Sequence, residues 1–305
     1  MGETTVQAPA SALSSYGPKR HLRERREELS SLSFSAFEAL PQSPTLGAEI
    51  RGIDLAAPLD DATVKELRQA LVEFKVIFFR DQDITTEQHV RVAGSFGDLE
   101  VHPFLPSNTD FPELVRFEKS PEQSGFENMW HSDVSWRLEP SLGSMLRCIE
   151  APRVGGDTLF VDMVAAYKDL PDDVRERIEG MHAIHDFSHS FGVGMSEEKL
   201  QKFQQEYPPA RHPVVRSHPE TGEKILYVNR IFVSHLEGIP RDESDELIAV
   251  LCRQSSIPEF QMRLRWEKNS IAFWDNRSTQ HYAASDYWPE VRIMERATVI
   301  GDRPF

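Results

Sequence analysis

IAFWDNRSTQHYAASDYWPEVRIMERATVI, residues 271–300, is the stretch whose reading decides the fold. Its first four residues, Ile271 to Trp274, form a short apolar run of the kind that builds a buried strand. The polar residues 275–280 then turn the chain, and His281 stands just beyond the turn. An otherwise apolar strand closes the stretch at 296–300, with Arg292 and Arg296 set four residues apart. Arginine on a buried strand requires an anion. Glu295 or Glu290 could supply it as a salt bridge, or the two guanidiniums could capture an anion near His281.

Working outward, similar short apolar runs recur at 76–79, 114–117, 144–149, 158–161, 214–216, 225–228 and 261–266. Helical periodicity appears at 61–74, with Asp60 or Asp61 as its N-cap, and at 85–96. Further helices are expected at 163–169, 172–179, 196–205 and 243–254. Many short strands with turn signals indicate an antiparallel sandwich or jelly roll, mainly β with flanking helices. No GxGxxG or GxxxxGK[ST] occurs, which argues against a doubly wound nucleotide binder. Residues 1–35 read as a flexible tail and 36–305 as a single domain.

Composition narrows the function. The chain has 305 residues, 39% hydrophobic and 27% charged, a globular mixture. Its 34 Lys and Arg against 49 Asp and Glu leave a net charge of −15, which opposes nucleic acid and anionic membrane surfaces. No apolar run reaches membrane-spanning length, and no signal peptide opens the chain. Cys148 and Cys252 form no CxxC pair, so zinc ribbons and dithiol chemistry are set aside and a cytoplasmic location is expected.

The chemistry centres on Trp130-His131-Ser132-Asp133. In extended chain, His131 and Asp133 point to the same side, because side chains alternate with a period of two. An imidazole and a carboxylate on one face are two thirds of a 2-His-1-carboxylate metal site; by themselves they could equally be an exposed His and a solvated Asp. A third ligand must come from elsewhere. His182 and His185 follow a helix end, and His212 and His218 flank prolines at expected surface or turn positions, whereas His281 follows a buried strand. Gly155-Gly156-Asp157-Thr158 is either a plain hairpin or the start of a strand whose Thr158 hydroxyl meets a carboxylate.

Taken together, these segments resemble the TauD/TfdA family of Fe(II)/2-oxoglutarate-dependent dioxygenases, most closely its taurine dioxygenase branch. The likeness runs from Ala48 (AEIRGIDLAAPL) to the C-terminus, through VIFFRDQDIT, FGDLEVHP, MWHSDVSW, APRVGGDTLFVDM, HPVVRSHPETGEKILYVN and the opening stretch. It implies a double-stranded β-helix (jelly roll, cupin-like) core, with His131, Asp133 and His281 as iron ligands. Thr158 and Arg292 would hold 2-oxoglutarate, and dioxygen would take the last metal position. His102, the Val134 amide, Ser190, Phe191, Phe232 and Arg296 would contact a small anionic substrate, with a protonated His102 reinforcing the arginine.

The implied reaction hydroxylates the carbon next to the sulfur group of an alkyl sulfonate or sulfate ester. It releases an aldehyde with sulfite or sulfate, and 2-oxoglutarate leaves as succinate and carbon dioxide. Leu105 and Glu127 depart from the branch where it holds a tyrosine and an asparagine, which disfavours taurine itself. A carboxylate substrate, such as an aryloxyalkanoate or an amino-acid derivative, is the alternative within the family. A non-catalytic anion-binding β-sandwich is the alternative outside it. The family further implies a homo-oligomer, dimer or tetramer. Residues 188–207 read as part of a lid.

Overall fold

The computed structural model describes residues 19–122 and 128–305. In chain order the elements are α1 (Arg20–Ser31), β1 (Glu38–Pro41), β2 (Ala48–Arg51), α2 (Asp61–Phe74), β3 (Val76–Phe79), α3 (Thr86–Gly94), β4 (Leu114–Lys119), β5 (Ser141–Glu150) and β6 (Thr158–Asp162). Then follow α4 (Met163–Lys168), α5 (Asp172–Ile178), β7 (His182–His185), α6 (Glu197–Glu206), β8 (Ala210–Pro213), β9 (Val215–Ser217), β10 (Lys224–Leu226) and β11 (Val233–Leu236). The last are α7 (Arg241–Cys252), β12 (Gln261–Leu264), β13 (Ile271–Asp275), β14 (Thr279–Ala283) and β15 (Arg292–Ile300).

A seven-stranded sheet runs in the order β1-β2-β3-β13-β5-β15-β4. All its pairs are antiparallel except β2 with β3. Alternation divides its side chains between two layers. Ile77, Phe79, Ile271 and Phe273 join Leu67, Leu71 and Phe74 of α2 and Val92 of α3 in one core. Val76, Phe78, Ala272 and Trp274 face the other way, onto Phe160, Met262 and Leu264 of the three-stranded sheet β12-β6-β14. The functional side chains lie on this second face.

Local sequence explains the helices that brace the sheet. Asp60 caps α2 by accepting from the Thr63 amide, so the cap is Asp60 rather than Asp61. Leu67, Ala70, Leu71 and Phe74 recur at helical spacing and are all buried. Each large apolar side chain buried this way contributes roughly 1.5–3 kcal/mol. The helix ends at Lys75, whose φ of 62° turns the chain into β3. Thr85 and Gln88 form a reciprocal capping box on α3. At the N-terminus, α1 buries Leu22 and Leu29, and Lys19 pairs with Asp169 at 2.8 Å.

The double-stranded β-helix expected from the resemblance is not what these strands build. Closing a sheet into a barrel requires its first and last strands to pair. Here β1 and β4 are the outermost strands of the large sheet and do not pair with each other, and β12 and β14 are the edges of the small one. The remaining strands form a separate β11-β7-β8 sheet and a β9-β10 pair. The His131 segment joins β14 by one isolated bridge rather than a ladder. Seven α-helices among the described residues make the fold mixed α/β rather than mainly β. Strand periodicity is a local property, whereas closure depends on which distant edges meet.

Candidate active site

The isolated bridge builds the centre of the site. His131 N donates to the His281 carbonyl at 3.1 Å, and His281 N returns the bond to the His131 carbonyl at 2.8 Å. This reciprocal pairing brings the two imidazoles to 4.2 Å between centroids. Asp133, two residues along, joins them, so that one ligand atom from each of His131, Asp133 and His281 lies within 4.8 Å of the others. His131 Nε2 is 3.8 Å from Asp133 Oδ1. His131 Nδ1 faces the Met129 carbonyl at 2.8 Å and must donate to it, so Nε2 is the nitrogen left to face the triad.

Burial, followed by the neighbouring His131, lowers the His281 pKa to about 3, so its ring is neutral. Burial opposes ionisation of Asp133, but Arg296, His281 and His131 outweigh it and hold the carboxyl well below its usual range. Two imidazoles and one ionised carboxylate are the donor set of non-heme Fe(II) oxygenases. His281 Nδ1 is buried without a partner. The residues present therefore fit the iron.

Asp133 is held from every side. Asn276 accepts from its backbone amide at 2.7 Å and donates to its carbonyl at 2.8 Å. Ser144 on β5 donates to Oδ2 at 2.8 Å. Arg296 on β15 donates to Oδ1 at 2.7 Å, and its buried Nε has no partner. The next residue, Val134, has a φ of 48°, an uncommon conformation for a β-branched residue. Among the described residues no hydrogen bond uses the Val134 amide.

The salt-bridge alternative for the two arginines is resolved by their neighbours. Glu295 pairs with Arg116 and Arg147, and Glu290 pairs with Arg153. Neither glutamate pairs with Arg292 or Arg296. Arg292 Nε donates to the Gly156 carbonyl at 3.1 Å, and the guanidinium lies 5.9 Å from the Tyr287 ring centroid. Thr158 begins β6, opposite Ala283 and two residues from the Phe160–His281 pair, so it shares their face. Its hydroxyl oxygen accepts from the Trp266 indole at 2.9 Å, which leaves the hydroxyl proton to be donated.

His102 lies beside Arg296 and is buried. Its Nδ1 accepts from the Phe104 and Leu105 amides, each at 3.2 Å, so its proton sits on Nε2. Burial, followed by Arg296, lowers its pKa to about 3. His102 is thus a neutral donor rather than the expected cation. Phe191 lies 5.3 Å from His102 and Phe232 lies 6.5 Å from His131, and the two rings stack at 6.2 Å. The Ser190 hydroxyl donates to the Phe187 carbonyl at 3.1 Å.

Leu105 is half-buried and lines a cavity of about 570 Å³ together with Phe117 and Lys119. The triad itself does not line that cavity. Glu127 and residues 1–18 lie outside the described residues.

Other histidines depart from expectation. His185 belongs to β7 and is buried, with Nδ1 3.0 Å from Ser135 Oγ. His212 is buried on β8 against the Arg137 carbonyl. His218 is buried 3.0 Å from Asp275 Oδ2. Neither a preceding helix, for His185, nor flanking prolines, for His212 and His218, gave a sign that tertiary packing would cover these rings. Sequence reasoning passed over Ser144 and Asn276, because a serine in a strand and an asparagine in a turn carry no signal of their partners.

The paired sheets and the two imidazoles with one carboxylate define a metal-dependent enzyme, a 2-oxoglutarate-dependent dioxygenase with Fe(II) at the triad. Residues 37–298 match the family described as "Taurine catabolism dioxygenase TauD, TfdA family", and the chain belongs to that family. It is 36% identical to an alpha-ketoglutarate-dependent sulfate ester dioxygenase of Pseudomonas putida over 87% of this chain and 89% of that one. It is 35% identical to an alkylsulfatase of Acinetobacter baylyi, covering 84% of this chain and 83% of that protein. The crystal structure of a taurine dioxygenase from Burkholderia xenovorans superposes with a TM-score of 0.77 at 34% identity, covering 88% and 91% of the two chains. No helix among the described residues is long and apolar enough to cross a membrane.

Proposed function

We propose that this dioxygenase hydroxylates the carbon next to the sulfur group of a small alkyl sulfate ester or alkyl sulfonate. The product collapses to an aldehyde and sulfate or sulfite, while 2-oxoglutarate leaves as succinate and carbon dioxide. The observation that carries this reading is the buried, unpartnered Nε of Arg296 beside the triad. A buried guanidinium donor requires an acceptor, and an oxyanion with several oxygens suits its planar fork. The neutral His102 Nε2–H and the Val134 amide are proposed to complete the anion site. The likeness to a sulfate ester dioxygenase and an alkylsulfatase supports the same class.

His131, Asp133 and His281 would hold the iron, which when bound supplies dioxygen activation coupled to 2-oxoglutarate decarboxylation. Arg292 and the Thr158 hydroxyl would bind the far carboxylate of 2-oxoglutarate and so fix its orientation. Phe191 and Phe232 would line the substrate side and exclude water. Leu105 offers no hydrogen bond to an amine. This favours alkyl sulfates and longer sulfonates over taurine. We further propose that residues 36–305 act as one catalytic domain. The free Cys148 and Cys252 support a reducing, cytoplasmic location.

The test is succinate formation with Fe(II), ascorbate and air across taurine, longer alkyl sulfonates, alkyl sulfate esters and aryloxyacetates. Succinate matched by sulfate or sulfite, strongest with an apolar tail, is expected. Turnover confined to aryloxyacetates would overturn the sulfur-group reading in favour of a carboxylate. His131→Ala should abolish turnover.

A further inference from the structure

We propose that Ser144 and Asn276 are positioning residues that make Asp133 a one-oxygen ligand. The proposal rests on the reading of His131, Asp133 and His281 as the iron site. A 2-His-1-carboxylate centre keeps three positions open only if its carboxylate gives one oxygen. A carboxylate turns easily about its terminal torsion, which is broad and two-fold. Left alone, it could present both oxygens to the metal and close one position.

Ser144 removes that freedom. Its hydroxyl donates to Asp133 Oδ2 at 2.8 Å, so that Oδ1, which also accepts from Arg296 at 2.7 Å, is the oxygen that faces His131 Nε2 at 3.8 Å. Ser144 is fully buried on β5, with Trp274 of β13 opposite on one side and Thr298 of β15 on the other. It sits in the middle of the large sheet and cannot drift.

Asn276 fixes the backbone from which the carboxylate springs. Its side chain takes the Asp133 amide and gives to the Asp133 carbonyl, and it also donates to Ser141 Oγ at 2.8 Å. Both peptide groups of residue 133 are thereby held, as a strand neighbour would hold them. The left-handed Val134 that follows needs such restraint, because its conformation is unfavourable by itself. Asn276 is anchored in turn: its own amide donates to the Leu142 carbonyl at 2.9 Å. The adjoining Asp275 is clamped by Arg277 and His218. Orientation therefore passes from the sheet through two neutral side chains, Ser144 and Asn276, to a carboxylate whose other oxygen Arg296 holds.

The experiment titrates the protein with Co(II) and records dissociation constants and visible spectra before and after adding 2-oxoglutarate. It compares wild type, Ser144→Ala, Asn276→Ala, Asn276→Asp and His131→Ala. Ser144→Ala and Asn276→Ala are expected to weaken Co(II) binding by about 10–100-fold. Asn276→Asp keeps the acceptor for the Asp133 amide but turns a buried carboxylate oxygen onto the Asp133 and Ser141 carbonyls, so it should lose at least as much as Asn276→Ala. The Ser144→Ala spectrum should change less on adding 2-oxoglutarate, because the freed oxygen occupies a position. Circular dichroism checks the fold, and if Asn276→Ala does not fold, Ser144→Ala and Asn276→Asp carry the test. Wild-type affinity and unaltered spectra in the folded variants would overturn the proposal while leaving the metal site standing. Wild type that takes up no Co(II), or His131→Ala that binds it equally, would overturn the metal site itself and the proposal with it.

Discussion

Arg296 Nη1 sits 2.7 Å from Asp133 Oδ1, so a strand arginine rests directly on the carboxylate of the triad. The guanidinium neutralises Asp133 while its Nε remains buried and unpartnered. One side chain thus touches the metal site and faces the space beside it. Arg296→Ala is expected to raise the KM for a sulfate ester about thirtyfold or more. Truncating one partner of a buried charge pair costs roughly 2–5 kcal/mol. Arg296→Lys should recover only part, since a point charge lacks the planar fork. Steady-state kinetics with the best sulfur substrate check this, and an unchanged KM would remove Arg296 from the anion site.

Arg292→Gln should weaken 2-oxoglutarate binding by about 3–5 kcal/mol, the cost of leaving a buried charge without its partner. Thr158→Val removes only the hydroxyl. It should cost about 1.5–3 kcal/mol for the lost hydrogen bond to a charged group. It also strips the Trp266 indole of its acceptor, so a small loss of thermal stability should accompany it. Calorimetric titration with 2-oxoglutarate in the presence of Mn(II) separates the two variants. Equal affinity in both and in wild type would place the co-substrate elsewhere.

Gly156 has a φ of 70°, and an added Cβ would lie 2.8 Å from Pro152 Cγ and 3.2 Å from Arg292 Cδ. Gly156→Ala therefore combines backbone strain with pressure on the proposed 2-oxoglutarate arginine. Weaker 2-oxoglutarate binding with metal affinity retained is the expected pattern. Loss of metal binding instead would mean that the turn supports the triad rather than Arg292.

Acid should unfold the protein early. Burial leads the shifts of His89, His102 and His212, whose pKa values fall to about 4, about 3 and about 4. The folded values lie below the ordinary 6.5, so the unfolded chain binds more protons in that window. Stability from these rings is fully present above about pH 6.5 and is lost as pH falls towards 4. Each contributes a slope of about 1.4 kcal/mol per pH unit there. Melting temperature measured from pH 7.5 to 5 should drop steeply below 6.5. A flat profile would show that the rings are charged in the folded state.

The sequence by itself pointed to His131, Asp133 and His281, which the fold brings together. His131 and Asp133 were legible because alternation in an extended chain puts both on one face. His281 stood out because it follows a buried strand and a polar turn. The β13–β14 turn, the α2 and α3 helices and their caps were equally local, and local propensity encodes them.

Tertiary structure alone decided the rest. Which strand edges meet is a matter of pairing between distant segments, and here the sheets do not close. Burial of His185, His212 and His218 depends on what packs over them, which neither a preceding helix nor a flanking proline reveals. Arg296 finds Asp133 across 163 residues, and Asn276 finds the backbone of Asp133 across 143. Such partners are chosen by geometry in three dimensions. Residue type states what a side chain can donate or accept, and only the folded chain states to whom.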